Sequence, residues 1–317
     1  MPPSLNTQTT IAFIWDFDKT LTPGYMQAPL FEAFNVDPEQ FWREVNSLAK
    51  YYRSRRMMVS ADTAYLGHIL SYVQDGPFAG LTNAKLRELG AHVPLAPGMP
   101  EFMARTRKLV ADDERYNHHG IAVEHYIVST GLRQMIEGNP ISKHVDGIWA
   151  CELLADPPSA GYLDSTAPGA ETGVLSQIGY VLDNTTKTRA IFEINKGANV
   201  EQIDVNARMA EEDRRIPIAN MVYVADGPSD VPSFSVVGKH GGMTFGVYTR
   251  GSSTSNYDGV RQLQDDGRVN SIAEADYREG SPADLWLMSS LRKIANGICD
   301  RRDQAFANII GPAGHKV

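Results

Sequence analysis

Cysteine is almost absent: only Cys151 and Cys299 occur in 317 residues, far apart and in no CxxC pair. That excludes a thiolate zinc site and a disulfide framework, and it predicts two reduced thiols in a cytoplasmic protein. No apolar run approaches the length needed to cross a bilayer, and residues 1–10 lack both the basic start and the apolar segment of a secretory leader, so no membrane partner is expected. Cations are the minority charge, with 30 Lys and Arg against 38 Asp and Glu and a formal net charge of -8. This balance argues against non-specific binding to nucleic acid, although an acidic protein can still hold a local basic pocket for phosphate. No internal repeat or low-complexity tract interrupts the chain, which sets repeat architectures aside.

What is present is ordinary for a globular protein: 42% hydrophobic residues, 21% charged and a mean hydropathy of -0.29. The length exceeds what one core usually fills, so a core domain with a smaller second domain is expected.

The chain is organised around Ile11 to Thr22. The apolar run Ile11–Trp15 reads as a buried strand, and it ends in two carboxylates, Asp16 and Asp18, one residue apart. In a parallel α/β sheet, loops at the carboxyl ends of strands converge on the ligand crevice. Two ionised carboxylates this close repel each other, and a divalent cation such as Mg²⁺ would relieve the repulsion. A later strand, Met221–Ala225, repeats the pattern, ending in Asp226-Gly-Pro-Ser-Asp230. Gly227 permits a tight turn there, and two carboxylates four residues apart can approach the same cation.

Between these strands the chain changes character. From about Gly24 to Val93 apolar residues recur at helical spacing, with helix starts at Asp37-Pro38, Ser60–Asp62 and Thr82. The aromatic residues of this insertion read as core packing, and Arg53, Arg55 and Arg56 as a surface cluster. A turn-rich stretch, Pro94–Pro100, returns the chain to an alternating α/β pattern through a helix over 101–111. The polar stretch Asp112–Gly120 reads as a loop carrying a solvated pair, His118 and His119. A strand over Val123–Val128 then leads into Ser129-Thr130-Gly131 and a helix, a turn whose hydroxyls and backbone N–H groups suit phosphate oxygens. Gly147–Leu154 reads as a strand, followed by a Pro/Gly-rich segment that could form a hairpin. Lys187 falls in the first turn of a helix opening near Asn184, where the helix dipole disfavours a cation unless it faces an anion; Arg189 is the competing candidate. Further on, Gly241–Tyr248 reads as a strand, Gly251–Gly259 as a polar loop and Ser289–Ile298 as a helix.

In sequence order, Asp16-Phe-Asp-Lys-Thr20, Ser129-Thr-Gly131, Lys187 and Asp226-Gly-Pro-Ser-Asp230 resemble the four motifs of the haloacid dehalogenase superfamily, and the helical insertion resembles the cap of its phosphoserine-phosphatase-like branch. The resemblance implies an α/β fold with a Rossmann-like parallel sheet core, residues 1–23 and 95–317, and a mainly helical cap, residues 24–94, inserted after the first strand. It implies an Mg²⁺-dependent phosphatase acting on a small phosphorylated metabolite. Asp16 would attack phosphorus and form an aspartyl-phosphate, while Asp18 would protonate the leaving alkoxide and later deprotonate water. Side chains of Asp16 and Asp226 and the backbone carbonyl of Asp18 would hold Mg²⁺, with Asp230 as a further ligand or a partner behind it. Ser129, Thr130 and Lys187 would bind phosphoryl oxygens, and Thr20 would orient the loop.

The presence of an acid at Asp18 favours a phosphatase, because dehalogenases of this superfamily lack it. Phosphoserine phosphatases carry a cap glutamate where this chain has Tyr25, which counts against phosphoserine; Glu32, farther along, is the substitute the sequence offers. Two alternatives stand beside hydrolysis: a phosphotransferase using the same intermediate, and a non-catalytic metal- and phosphate-binding scaffold protein. The helical insertion could serve as a homodimer surface as well as a lid.

Overall fold

The computed structural model describes residues 8–158, 160–164, 173–200, 203–251 and 254–309. Strand β1 (Thr10–Trp15) is apolar and β-branched on both faces, and it is buried on both faces. It pairs in parallel with β2 (Ala122–Leu132) on one side and β5 (Met221–Ala225) on the other. With β3 (Gly147–Ala155), β4 (Leu175–Tyr180), β6 (Met243–Tyr248) and β7 (Ser271–Glu274), these form one seven-stranded sheet in the order β4-β3-β2-β1-β5-β6-β7. Every pairing is parallel except β3 with β4. The chain builds outward from β1 in one direction through β2 to β4 and in the other through β5 to β7. The crevice of the sheet therefore opens between the carboxyl ends of β1 and β5.

Four helices follow β1: α1 (Ala28–Ala33), α2 (Pro38–Arg53), α3 (Ala64–Asp75) and α4 (Asn83–Gly90). Asp37 caps α2 by accepting the N–H of Glu39, with Pro38 in the first helical position, and the Thr82 hydroxyl caps α4 by accepting from Lys85. Phe31, Phe41 and Phe78 are fully or almost fully buried and pack ring to ring, so the aromatics of the insertion form its core. The remaining helices are α5 (Glu101–Asp112), α6 (Glu114–His118), α7 (Arg133–Gly138), α8 (Lys187–Lys196), α9 (Val231–Lys239), α10 (Thr254–Asp265) and α11 (Pro282–Ile309). The expected α/β core with helices inserted after its first strand is the architecture observed. Among the described residues no helix is long and apolar enough to cross a membrane.

Several local expectations change. The stretch read as a loop at 112–120 contains α6, because the Asp113 carboxylate caps the N–H groups of Arg115 and Tyr116. His119 is buried and paired with Asp303 at 3.1 Å rather than solvated. Residues 254–259 of the supposed loop belong to α10, whose apolar positions Val260 and Leu263 are buried. The hairpin after β3 forms through β4, while residues 159 and 165–172 of the intervening segment, like residues 1–7 of the supposed non-leader, lie outside the described residues.

Candidate active site

At the end of β1 the backbone N–H of Asp16 bonds to the carbonyl of Val224 in β5, at 2.9 Å, so the carboxyl ends of the two central strands are tied together. The chain then winds tightly: the Phe17 carbonyl receives the N–H groups of Thr20, Leu21 and Thr22 at 3.2, 2.9 and 3.2 Å. Lys19 in this loop has φ of 58°, a left-handed conformation that costs about 1–2 kcal/mol in a residue with a side chain. Contacts from elsewhere hold the loop in that shape. The buried Tyr277 donates its hydroxyl to the Thr20 carbonyl at 2.9 Å, and Thr22 Oγ1 donates to the Gly24 carbonyl at 2.7 Å.

Lys187, in the first turn of α8, is 1% exposed. Its Nζ lies 2.8 Å from Asp16 Oδ1 and 2.7 Å from Asp230 Oδ1, which explains a cation at a helix N-terminus: it faces two anions. Asp230 is itself fully engaged. Its Oδ1 also accepts the Tyr223 hydroxyl at 2.6 Å, and its Oδ2 accepts the Ser229 hydroxyl at 2.8 Å. This buried carboxylate thus orients Lys187 toward Asp16. Arg189, the competitor, points away and pairs with Glu193 at 2.8 Å.

Oxygens of Asp16, Asp226 and Asp230 all lie within 4.8 Å of one another. Burial is the first reason that Asp16 and Asp226 are held above the ordinary carboxylate range, with repulsion from neighbouring carboxylates adding to it and Lys187 opposing it. Burial, followed by repulsion from Asp16, pushes Asp18 up to about 8. The Asp18 side chain stands outside the three-carboxylate group and accepts the backbone N–H of Met26 at 2.8 Å. An oxygen-only donor set carrying more negative charge than Lys187 can balance fits a hard divalent cation.

On the other side of β1, Ser129 and Thr130 lie where β2 loses its regular register with β3, between Val128 and Leu132. The β2 strand runs on through this segment to Leu132 rather than stopping at Val128, because Leu132 pairs with Cys151 beyond the irregularity. Ser129 is buried, and its Oγ accepts the N–H of Gly131 at 3.0 Å. The Thr130 carbonyl accepts the Tyr65 hydroxyl of α3 at 2.5 Å and the Cys151 thiol at 3.3 Å. Gly131 allows a close approach that a side chain would block: a Cβ there would sit 2.0 Å from Met26 Cε.

Tyr65, Tyr223, Tyr277 and Lys19 escaped the sequence reading as parts of this neighbourhood. The three tyrosines resemble ordinary apolar positions of a helix, a strand and a loop, and only tertiary packing shows where their hydroxyls end. Glu32 and Arg53, Arg55 and Arg56 are exposed.

No protein-family model matches the chain. A protein of Borreliella burgdorferi described as uncharacterised is 35% identical over 288 residues, which cover 90% of this chain and 97% of that one. Among solved structures, the chain is similar to a phospho-aspartyl intermediate analogue of phosphoserine phosphatase, with 14% identity, a TM-score of 0.49 and coverage of 86% of this chain and 97% of the other. It is also similar to a HAD-family hydrolase of Salmonella enterica serovar Typhi, with 12% identity, a TM-score of 0.48 and coverage of 81% and 68%. At these levels the fold rests on the strand order described above and the chemistry on the site's own geometry.

Proposed function

We propose that this chain, which belongs to one family with the uncharacterised Borreliella protein, is a divalent-cation-dependent phosphatase of the haloacid dehalogenase superfamily that hydrolyses a small phosphate monoester through an aspartyl-phosphate. The observation that carries the reading is the difference between two neighbouring carboxyl groups. Asp16 lies inside the three-carboxylate group and is held by the Lys187 ammonium at 2.8 Å, whereas Asp18 stands outside that group, hydrogen-bonded to the Met26 N–H at 2.8 Å, and burial and the Asp16 charge favour its protonated form.

That difference suits the two halves of the reaction. An Asp16 oxygen attacks phosphorus as the bond from phosphorus to the leaving oxygen breaks, and Asp18 gives its proton to that oxygen. Asp18, now ionised, takes a proton from water as the water oxygen attacks phosphorus. The bond to Asp16 then breaks, releasing inorganic phosphate. Lys187 and the Ser129 hydroxyl would meet the phosphoryl oxygens, with Asp230 holding Lys187 beside Asp16. Asp16 and Asp226, with Asp230 behind, would hold Mg²⁺, which would reduce repulsion between the nucleophile and the anionic substrate.

The test is phosphate release from a panel of small phosphate esters, with and without Mg²⁺, comparing the parent with Asp16→Asn. Metal-dependent release abolished by the substitution is expected. Undiminished turnover in Asp16→Asn would sink the covalent mechanism. Release that falls when alcohols or sugars are added, with their phosphorylated forms appearing, would favour the phosphotransferase reading.

A further inference from the structure

Two lysines stand at this site, and they are committed differently. Lys187 is paired with the carboxylates of Asp16 and Asp230. Lys19 forms no ion pair with a described residue. Its Nζ donates to the Tyr25 hydroxyl at 2.7 Å and sits 4.1 Å from the centroid of that ring. An ammonium has three donors, so Lys19 retains capacity for an anion.

Its position says which end of a substrate it would meet. Asp18, the proposed proton donor to the leaving oxygen, bonds to the N–H of Met26, and Lys19 bonds to Tyr25, the residue before. Both side chains therefore face the same short segment at the entry to the helical insertion. The segment is held in place: Lys19 N–H bonds to the Gly24 carbonyl at 3.1 Å, and the Tyr25 ring leans on Trp42 with centroids 6.0 Å apart. Tyr25 is 51% exposed and Lys19 partly so, which puts the pair within reach of solvent and of an entering ligand.

Building on the phosphatase reading, we propose that Lys19, steadied by Tyr25, recognises a second anionic group on the leaving-group side of the substrate, so that the preferred substrates are phosphate esters bearing a carboxylate or a second phosphate. A cation hydrogen-bonded to a phenol and lying against its ring is restrained in place yet not neutralised, and an arriving anion would add a charge-assisted bond without displacing an existing partner. The rival role for Lys19 is that of a counter-charge to Asp18 and Asp226, which would help any phosphate ester equally.

The experiment measures binding and turnover together. Calorimetry compares phosphonoacetate with ethylphosphonate, two non-hydrolysable phosphonates that differ by the carboxylate, on the parent, Lys19→Met and Tyr25→Phe in the presence of Mg²⁺. KM is measured in parallel for one carboxylate-bearing ester and one neutral ester. The parent is expected to bind phosphonoacetate at least about ten-fold more tightly, and Lys19→Met to reduce that preference to within about two-fold. Tyr25→Phe, which keeps the ring and removes the hydroxyl, is expected to fall between them. Equal weakening of both phosphonates by Lys19→Met, or a preference that survives it, would overturn the proposal. Ester turnover without discrimination would leave the phosphatase reading standing and remove only the role of Lys19. Discrimination without turnover of any ester would do the reverse.

Discussion

Met26 donates its backbone N–H to Asp18 Oδ1 at 2.8 Å, so the first residues of the helical insertion fix the orientation of a carboxyl group in the sheet crevice. A main-chain donor can serve either a carboxylate or an amide oxygen. Asp18→Asn therefore keeps the contact and loses only the transferable proton. The expected outcome is a fall of roughly 10²–10⁴-fold in kcat for alkyl phosphates and a much smaller fall for an ester with a good leaving group such as p-nitrophenol, with the circular dichroism spectrum unchanged. Equal losses on both esters would show that Asp18 does not act as the acid.

Lys187 is the hub of a buried charge group, and its removal leaves Asp16 and Asp230 facing each other without a cation. Lys187→Met is expected to abolish turnover and to destabilise the protein by about 3–5 kcal/mol, the cost of stranding buried charge. Adding Asp230→Asn should restore part of that stability, because one of the stranded charges is then gone. Urea unfolding of the two single variants and the double variant gives the coupling directly. Strict additivity would mean that the two groups do not depend on each other.

The sheet and the ends of its central strands were legible because hydrophobic runs stop abruptly at charge. Ile11–Trp15 meets Asp16, and Met221–Ala225 meets Asp226; the order of the motifs then placed Ser129 and Lys187 beside them. What the sequence hid depends on the third dimension. Asp230 proves to be engaged by Lys187, Tyr223 and Ser229, an arrangement that needs the turn after β5 brought against the first turn of α8. Lys19 next to Asp18 carried no signal of its own, since its meaning comes from the Tyr25 hydroxyl six residues on. The helices α6 and α10 were missed because they are polar, and a cap by Asp113 in one and two buried aliphatic side chains in the other outweighed composition.

His125 offers a pH test away from the carboxylates. It is fully buried, and the indole of Trp15, which can only donate, bonds to its Nδ1 at 3.1 Å. The ring proton is thereby assigned to Nε2, which faces Thr106 Oγ1 at 2.8 Å, while that hydroxyl donates to the Met103 carbonyl at 2.8 Å. Burial, with Arg107 adding to it, holds His125 well below the usual histidine range, so the folded protein keeps it neutral. The unfolded chain takes up a proton below pH 6.5 that the folded chain refuses. The stability from this group is therefore complete above that pH and declines as pH falls below it, by up to about 1.4 kcal/mol per unit. Urea unfolding from pH 7.5 to 5.5 should show the stability gap between the parent and His125→Phe shrinking as pH falls, since the variant lacks the proton site. A constant gap would argue against a neutral buried imidazole.

Helix α4, the last of the inserted helices, crosses α7 at two glycines. A Cβ on Gly90 would lie 2.0 Å from the Met135 carbonyl oxygen, and one on Gly138 would lie 1.9 Å from that of Arg87. Asn139 strengthens the junction by donating to the carbonyls of Gly90 and Val93 at 3.1 and 2.9 Å. Backbone packed on backbone cannot yield as a side chain can, so α4 is held closely against α7. Gly90→Ala and Gly138→Ala are each expected to destabilise by at least about 1–3 kcal/mol, the usual cost of overpacking. Gly67→Ala, on α3 where an added Cβ meets nothing within 4 Å, should instead be neutral or slightly stabilising through helix propensity. Thermal unfolding of the three variants separates these cases. A Gly138→Ala protein as stable as the parent would show that the crossing can widen.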